Sequence, residues 1–225
     1  MSWPASADEL VAQQHDLAAA APPVWTPSDG ALVGGVWVTF PRGLSGPGAV
    51  GDRAWAAAVV MDGRRVLARQ VVVGQAAAGY VPGLLALRLG PLCEDVVRRL
   101  TATPDVLLVD ATGRDHPRRA GFAVHLGFVL DLPTVGVTHR PLVASGAWPS
   151  DPLGSGAPLT IGDDVVATWV RTKPGTRPLV VHPGWRTDPA IAVRVVMSCV
   201  TGRRTPEPLR RAREAARRVR GSEDL

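Results

Sequence analysis

The chain opens on residues at helical spacing. Ser6-Ala7-Asp8-Glu9 is a capping-box signature, in which a hydroxyl accepts from a free first-turn amide and a glutamate reaches back; it predicts an amphipathic helix that Pro22-Pro23 ends. Three β-rich runs follow, Leu32 to Phe40, Trp55 to Met61 and Arg65 to Val73, and Asp62-Gly63 between the last two is a two-residue hairpin signal. An antiparallel meander is expected. A Gly/Pro loop around Tyr80-Val81-Pro82-Gly83 then leads to a helix predicted from about Pro91 to Leu100, with Leu92, Val96, Val97 and Leu100 at helical spacing. From there the pattern changes. Val106 to Val109 is a short continuous apolar run ending in Asp110, followed by a helix from roughly Gly121 to Leu130 and a second apolar run, Thr134 to Val137. Strand, helix, strand at this spacing is a parallel βαβ unit, whose chemistry sits at the carboxyl ends of the strands, where Asp110 falls. Val165 to Val170 and Leu179 to Val181 read as strands, Gly146 to Gly156 as a surface loop, and Pro189 to Val200 as a helix with Ile191, Val195, Val196 and Cys199 on one face. The last helix, about 206–220, carries Arg210, Arg211, Arg213, Arg217, Arg218 and Arg220 against Glu214 as its internal acid.

Three hairpin-connected strands followed by parallel strands with helices on both sides describe an α/β fold with a central mixed sheet flanked by helices, the ribonuclease H-like architecture. The 225 residues suffice for one well-buried domain, so a single unit spanning 1–225 is expected. A formal charge of +5 favours a polyanionic partner, nucleic acid or an anionic membrane, because basic surfaces gain affinity by releasing phosphate-bound counterions. No apolar run reaches membrane-spanning length and the start lacks a signal-like pattern, so a cytoplasmic protein is expected. Cys93 and Cys199 give neither a disulfide framework nor metal spacing and read as buried free thiols.

Four segments resemble the endonuclease V family in order and spacing: Gly79-Tyr80-Val81-Pro82-Gly83-Leu84-Leu85-Ala86 with Gly90-Pro91 behind it; Pro104-Asp105 through Asp110, then Gly113, His116-Pro117-Arg118-Arg119 and Gly121; Asp131 through Val137; and Pro206-Glu207-Pro208. The resemblance implies a nuclease acting on inosine-containing DNA or RNA, and a monomer. It makes Tyr80-Val81-Pro82 a wedge that separates strands beside the lesion, since a rigid aromatic beside a proline can stack where a base has left. It also implies a tight pocket for the flipped hypoxanthine with walls at Gly83, Leu85, Gly113, His116 and Gly121, glycines letting backbone groups approach a base edge closely. Ala111 stands where the family has glycine and would shrink that pocket. Arg118 and Arg119 are expected to begin a helix, either contacting phosphate or facing solvent.

Family members cut with Mg²⁺ held by an Asp in the first strand, a Glu after the wedge loop and the Asp that ends the strand before His-Pro-Arg. Those positions are Trp37, Leu89 and Asp110 here, so Asp110 is the remaining candidate catalytic and metal-binding carboxylate. The surrounding Gly34-Gly35-Val36-Trp37-Val38-Thr39-Phe40 otherwise matches closely, which fixes the alignment. A further acidic or histidine position falls on Arg213, a lysine becomes His139, and a histidine becomes Trp185. One aspartate would leave Mg²⁺ held mainly by water and substrate, a weak site. Arg213 could bind phosphate in place of the ion, with His139 at the nucleic acid and Trp37 or Trp185 stacking on it. Alternatively, Trp37 and Leu89 merely fill space and Arg213 is solvated. Three classes follow: a non-cleaving nucleic-acid-binding descendant; a working nuclease with ligands relocated to Asp115, Asp52 or His139 beside Asp110; and a protein-interaction module using the Arg-rich helix.

Overall fold

The computed structural model describes residues 3–44 and 46–223; the outermost residues of the expected 1–225 unit, and Ser45, lie outside it. The chain runs α1 (Ala7–Ala19), β1 (Val33–Thr39), β2 (Arg53–Asp62), β3 (Arg65–Gln75), α2 (Leu85–Arg98), β4 (Val106–Val109), α3 (Phe122–Leu130), β5 (Thr134–Thr138), β6 (Gly156–Ile161), β7 (Asp164–Val170), β8 (Leu179–Pro183), α4 (Pro189–Ser198) and α5 (Glu207–Glu223). One eight-stranded sheet in the order β3-β2-β1-β4-β5-β8-β7-β6 carries them. β1, β4 and β5 are parallel neighbours, and the remaining pairs are antiparallel. The expected mixed sheet is therefore present, although β8 returns antiparallel to β5.

Side-chain alternation along the strands sorts the core into layers. Val36, Leu107 and Val109 face α1, α2 and α3, meeting Leu10, Leu92, Val96, Phe122 and Leu126. Val33, Val106, Leu108 and Val135 face the opposite side, against Ala192, Val195 and Val196 of α4 and Leu209 of α5. Gly35 makes the second packing possible, because a Cβ there would lie 2.5 Å from the Pro208 carbonyl carbon. Both thiols, Cys93 and Cys199, are free and buried. No helix of the described residues is long and apolar enough to cross a membrane.

Several boundaries differ from the sequence-based expectation for identifiable reasons. Asp62 pairs with Arg65, so the β2–β3 turn is Gly63-Arg64 and not Asp62-Gly63; Gly63 takes the left-handed φ of 53° that the turn needs. α2 begins at Leu85, six residues before the expected start, with Pro91 inside it. β6 begins where the surface loop was expected to end, and its Pro158 is tolerated because β6 is an edge strand. Arg118 and Arg119 do not begin a helix: α3 starts at Phe122, and Arg119 has a left-handed φ of 56°.

A candidate base cavity at the carboxyl end of the sheet

The Tyr80-Val81-Pro82 segment, expected to act as a wedge, forms an exposed tip. Tyr80 and Val81 are 43% and 48% exposed, and Gly83 closes the turn with a φ of 80°. Behind the tip, the Gly83 carbonyl collects three donors: Gln14 Nε2 at 3.0 Å, His116 Nε2 at 3.0 Å and Arg118 Nη2 at 3.1 Å. Arg118 Nε also donates to Gln14 Oε1 at 2.6 Å, which ties α1 to the His-Pro-Arg segment. The Arg118 amide donates to His116 Nδ1 at 3.2 Å, so the hydrogen-bond pattern assigns the ring proton to Nε2. Burial lowers the His116 pKa, the Gly83 bond opposing it, and the ring is accordingly neutral at pH 7. Arg118 is thus an internal clamp. Arg119 donates to the Ile161 carbonyl and pairs with Asp164.

Upstream, a second clamp holds the tip. Arg88 donates to the Ala49 and Ala78 carbonyls and to Asp52 Oδ2, the last at 2.7 Å, and its guanidinium lies 4.5 Å from the centre of the Phe40 ring. The Tyr80 amide in turn donates to the Gly48 carbonyl at 3.1 Å. Asp52, one of the relocated-ligand candidates, is therefore committed to Arg88, which holds its carboxyl below the usual range.

A cavity of about 190 Å³ opens beside the tip, lined by Tyr80, Gly83, Leu85, Asp110 and His116 together with Gln14, Ala111 and Thr112. Gly113 and Gly121, expected as cavity walls, do not line it. A Cβ on Gly113 would lie 2.0 Å from the Pro183 oxygen, and one on Gly121 would lie 2.5 Å from the Thr112 oxygen. These glycines serve backbone-on-backbone packing inside the protein. Ala111 does line the cavity, as its replacement of glycine implied. Gln14 is the residue that the sequence reading missed. Its signal was a polar side chain on the buried face of α1, between Leu10 and Leu17 at helical spacing.

Asp110 is solvent-exposed by area but stands in a concavity with protein on most sides. Those surroundings push its carboxyl up to about 7, with Arg213 pulling the other way. Trp37 and Leu89 do not join it in the cavity. Trp37 lies among Trp55, Ala212 and Ala216 on the α5 face, with the Arg213 guanidinium 5.4 Å from its ring centre. Leu89 is buried with Val36, Leu92 and Val109 on the opposite face. Arg213 is thus stacked and not freely solvated, and it is close enough to Asp110 for their charges to interact. Trp185 is buried against Phe128 with ring centres 5.2 Å apart, so it offers no face to a base.

Asp115, also considered as a relocated ligand, is fully buried and accepts from the amides of Leu142, Val143 and Ala144 at 2.7–2.9 Å. His139 is exposed at the end of β5, facing arginines and no second carboxylate of a metal site. Among the described residues no three His, Cys, Asp or Glu side chains gather to hold a metal ion. Mg²⁺ prefers several hard oxygen ligands, and Asp110 without a second carboxylate beside it in the cavity does not supply them. This donor set does not fit a resident Mg²⁺.

Comparison with known proteins agrees with the motif resemblance. The family model for endonuclease V matches residues 24–214. The endonuclease V of Azotobacter vinelandii is 40% identical over 191 residues, covering 84% of this chain and 83% of that protein. The crystal structure of endonuclease V from Streptomyces avermitilis superposes with a TM-score of 0.87 at 35% identity, covering 100% of this chain and 97% of that one. Likeness in fold alone extends to Ciona intestinalis endonuclease V in complex with a 24-mer DNA containing an inosine followed by a ribo-adenosine, with a TM-score of 0.80, 22% identity and coverage of 96% and 97%. With its mixed sheet and these relatives, the chain belongs to the endonuclease V family.

Proposed function

We propose that this protein binds DNA or RNA carrying a displaced base, hypoxanthine in particular, and holds it without metal-dependent cleavage. The observation that carries this reading is the pairing of an exposed Tyr80-Val81-Pro82 tip with an adjacent cavity lined by His116 and Asp110, in a chain that has Trp37 and Leu89 at the other family carboxylate positions. Taking a base out of its stack costs a few kcal/mol, and an aromatic inserted at the vacated step offsets part of it. Tyr80 performs that insertion, and the two clamps at Gly83 and Arg88 keep the tip ordered before the strand arrives, which reduces the entropy lost on binding. The fold-related Ciona protein is seen on inosine-containing DNA, and the same class of ligand suits the cavity here.

The test incubates purified protein with inosine-containing DNA and RNA in Mg²⁺ or Mn²⁺. A retained complex with an uncut strand is expected, its inosine preference being lost in Tyr80→Ala. Strand cleavage abolished by Asp110→Ala would overturn the non-cleaving reading and make the protein a working endonuclease V.

A further inference from the structure

Positive charge collects at the same end of the sheet, outside the base cavity. Thr138 pairs with Val180, so the antiparallel register carries His139 alongside the segment that enters β8 through Arg177 and Pro178. Arg204 is fixed there, donating from Nε to the Arg177 carbonyl at 2.6 Å and from Nη2 to that of Pro178 at 3.1 Å. The Arg177 guanidinium lies 5.6 Å from the centre of the Trp148 ring, and Trp148 is 56% exposed at the surface. Its ring meets Trp169 edge-on, with ring centres 6.1 Å apart. Arg213 stands over Trp37 and faces Asp110.

Among the described residues, none of Arg177, Arg204 and Arg213 has a carboxylate within ion-pair distance, although other arginines of this chain do. Each of the three acts on His139, and Arg177 acts on Arg204. The His139 imidazole is lowered by burial and then by Arg204, Arg213 and Arg177, and the Arg204 guanidinium by burial and then by Arg177. Like charges gathered around one imidazole favour a multivalent anion, and guanidinium groups match phosphate through paired hydrogen bonds.

We infer that Arg177, Arg204 and Arg213 form a phosphate subsite for the nucleic-acid strand running past the base cavity, with Trp148 as the platform on which a neighbouring base stacks. The subsite rests on the proposed nucleic-acid ligand, but it requires neither inosine nor a metal ion. Phosphate is held by protein cations where a metal-dependent nuclease would use its ion.

Fluorescence anisotropy with a labelled single-stranded oligothymidylate in EDTA, titrated over a salt series, tests this. The wild type is expected to bind. Arg177→Gln and Arg213→Gln should each flatten the plot of log affinity against log salt by about 0.7, the value of one single-strand phosphate contact. Trp148→Ala should weaken binding about tenfold while leaving that slope alone. Both arginine substitutions sit at side chains without ion-pair partners, and unchanged circular dichroism melts confirm that folding is intact. The inference is overturned if the arginine variants keep the wild-type slope, if binding appears only on adding Mg²⁺, or if phosphatidylserine vesicles are bound in preference to the oligonucleotide. Tyr80→Ala separates the two readings: it should spare oligothymidylate binding while removing inosine preference. Absence of inosine preference in the wild type, with the arginine effects intact, sinks base recognition and leaves the subsite standing.

Discussion

Replacing Gly113 by alanine distinguishes a backbone-packing glycine from a base-pocket glycine. The added Cβ would lie 2.0 Å from the Pro183 oxygen, 2.9 Å from the Pro183 carbonyl carbon and 3.0 Å from His182 Cβ, whereas ordinary contact begins near 3.4 Å. Relief needs a movement of about 1.4 Å, the gap between contact distance and the nearest approach. Pro183 cannot easily supply it, being paired with Val135 in the sheet and accepting from the Arg114 amide at 3.2 Å. Overpacking of this kind costs typically 1–3 kcal/mol, and a clash with fixed backbone belongs at the top, about 3 kcal/mol. For a chain of this size the melting temperature moves by roughly 2–4 °C per kcal/mol, so Gly113→Ala should melt roughly 6–12 °C below wild type. Gly221→Ala is the control: no atom lies within 4 Å of its added Cβ, and alanine in a helix gains up to about 1 kcal/mol over glycine. Its melt should match or exceed wild type. Scanning calorimetry of the three proteins, with inosine-DNA binding measured alongside, decides the matter. A Gly113→Ala protein that melts with wild type yet binds inosine poorly would refute the packing argument and restore Gly113 to the cavity wall.

Asp52→Asn should loosen the Tyr80 tip, because Arg88 loses its carboxylate; faster hydrogen exchange at the Tyr80 amide is expected, and unchanged exchange would count against the clamp. Glu207 pairs with Arg210 and Arg211, chiefly through its hydrogen bond to Arg210, which holds its carboxyl down at about 2. A lowered native pKa contributes stability that is present above the ordinary 4.5 and is lost as pH falls toward about 2. The melting temperature should therefore fall more steeply with acid over that window in wild type than in Glu207→Gln, and identical slopes would refute the pairing. Burial pushes the Cys93 thiol far above its ordinary value and Cys199 up to about 11, so iodoacetamide at pH 8 should label neither until denaturant is added, as mass spectrometry can read.

The parts of the fold legible in the sequence were those in which local pattern and tertiary burial agree. Val106 to Val109 is apolar throughout because both of its faces are covered, and that run led directly to Asp110. The tip Tyr80 to Gly83 was legible because Pro82 and Gly83 constrain the local backbone. Missed features depend on partners far along the chain. The first turn of α2 was hidden behind Pro91, whose missing amide argues locally for a helix start, whereas Ala86, Leu89 and Leu92 are buried and carry the helix through it. Gly113 and Gly121 look alike in sequence whether a base or a carbonyl fills the space beside them. Trp37 and Leu89 were expected at one metal site, but Trp37 on β1 packs toward α5, whereas Leu89 on α2 lies in the layer on the other side of the sheet.

The Gly83 carbonyl has a mechanical consequence. An amide oxygen offers two lone pairs, and here three donors from two distant stretches of chain compete for them. Such a junction is redundant, since the oxygen stays hydrogen-bonded to two donors when the third is removed. A substitution at Gln14, His116 or Arg118 alone therefore leaves the Tyr80–Gly83 tip tied to the body of the protein.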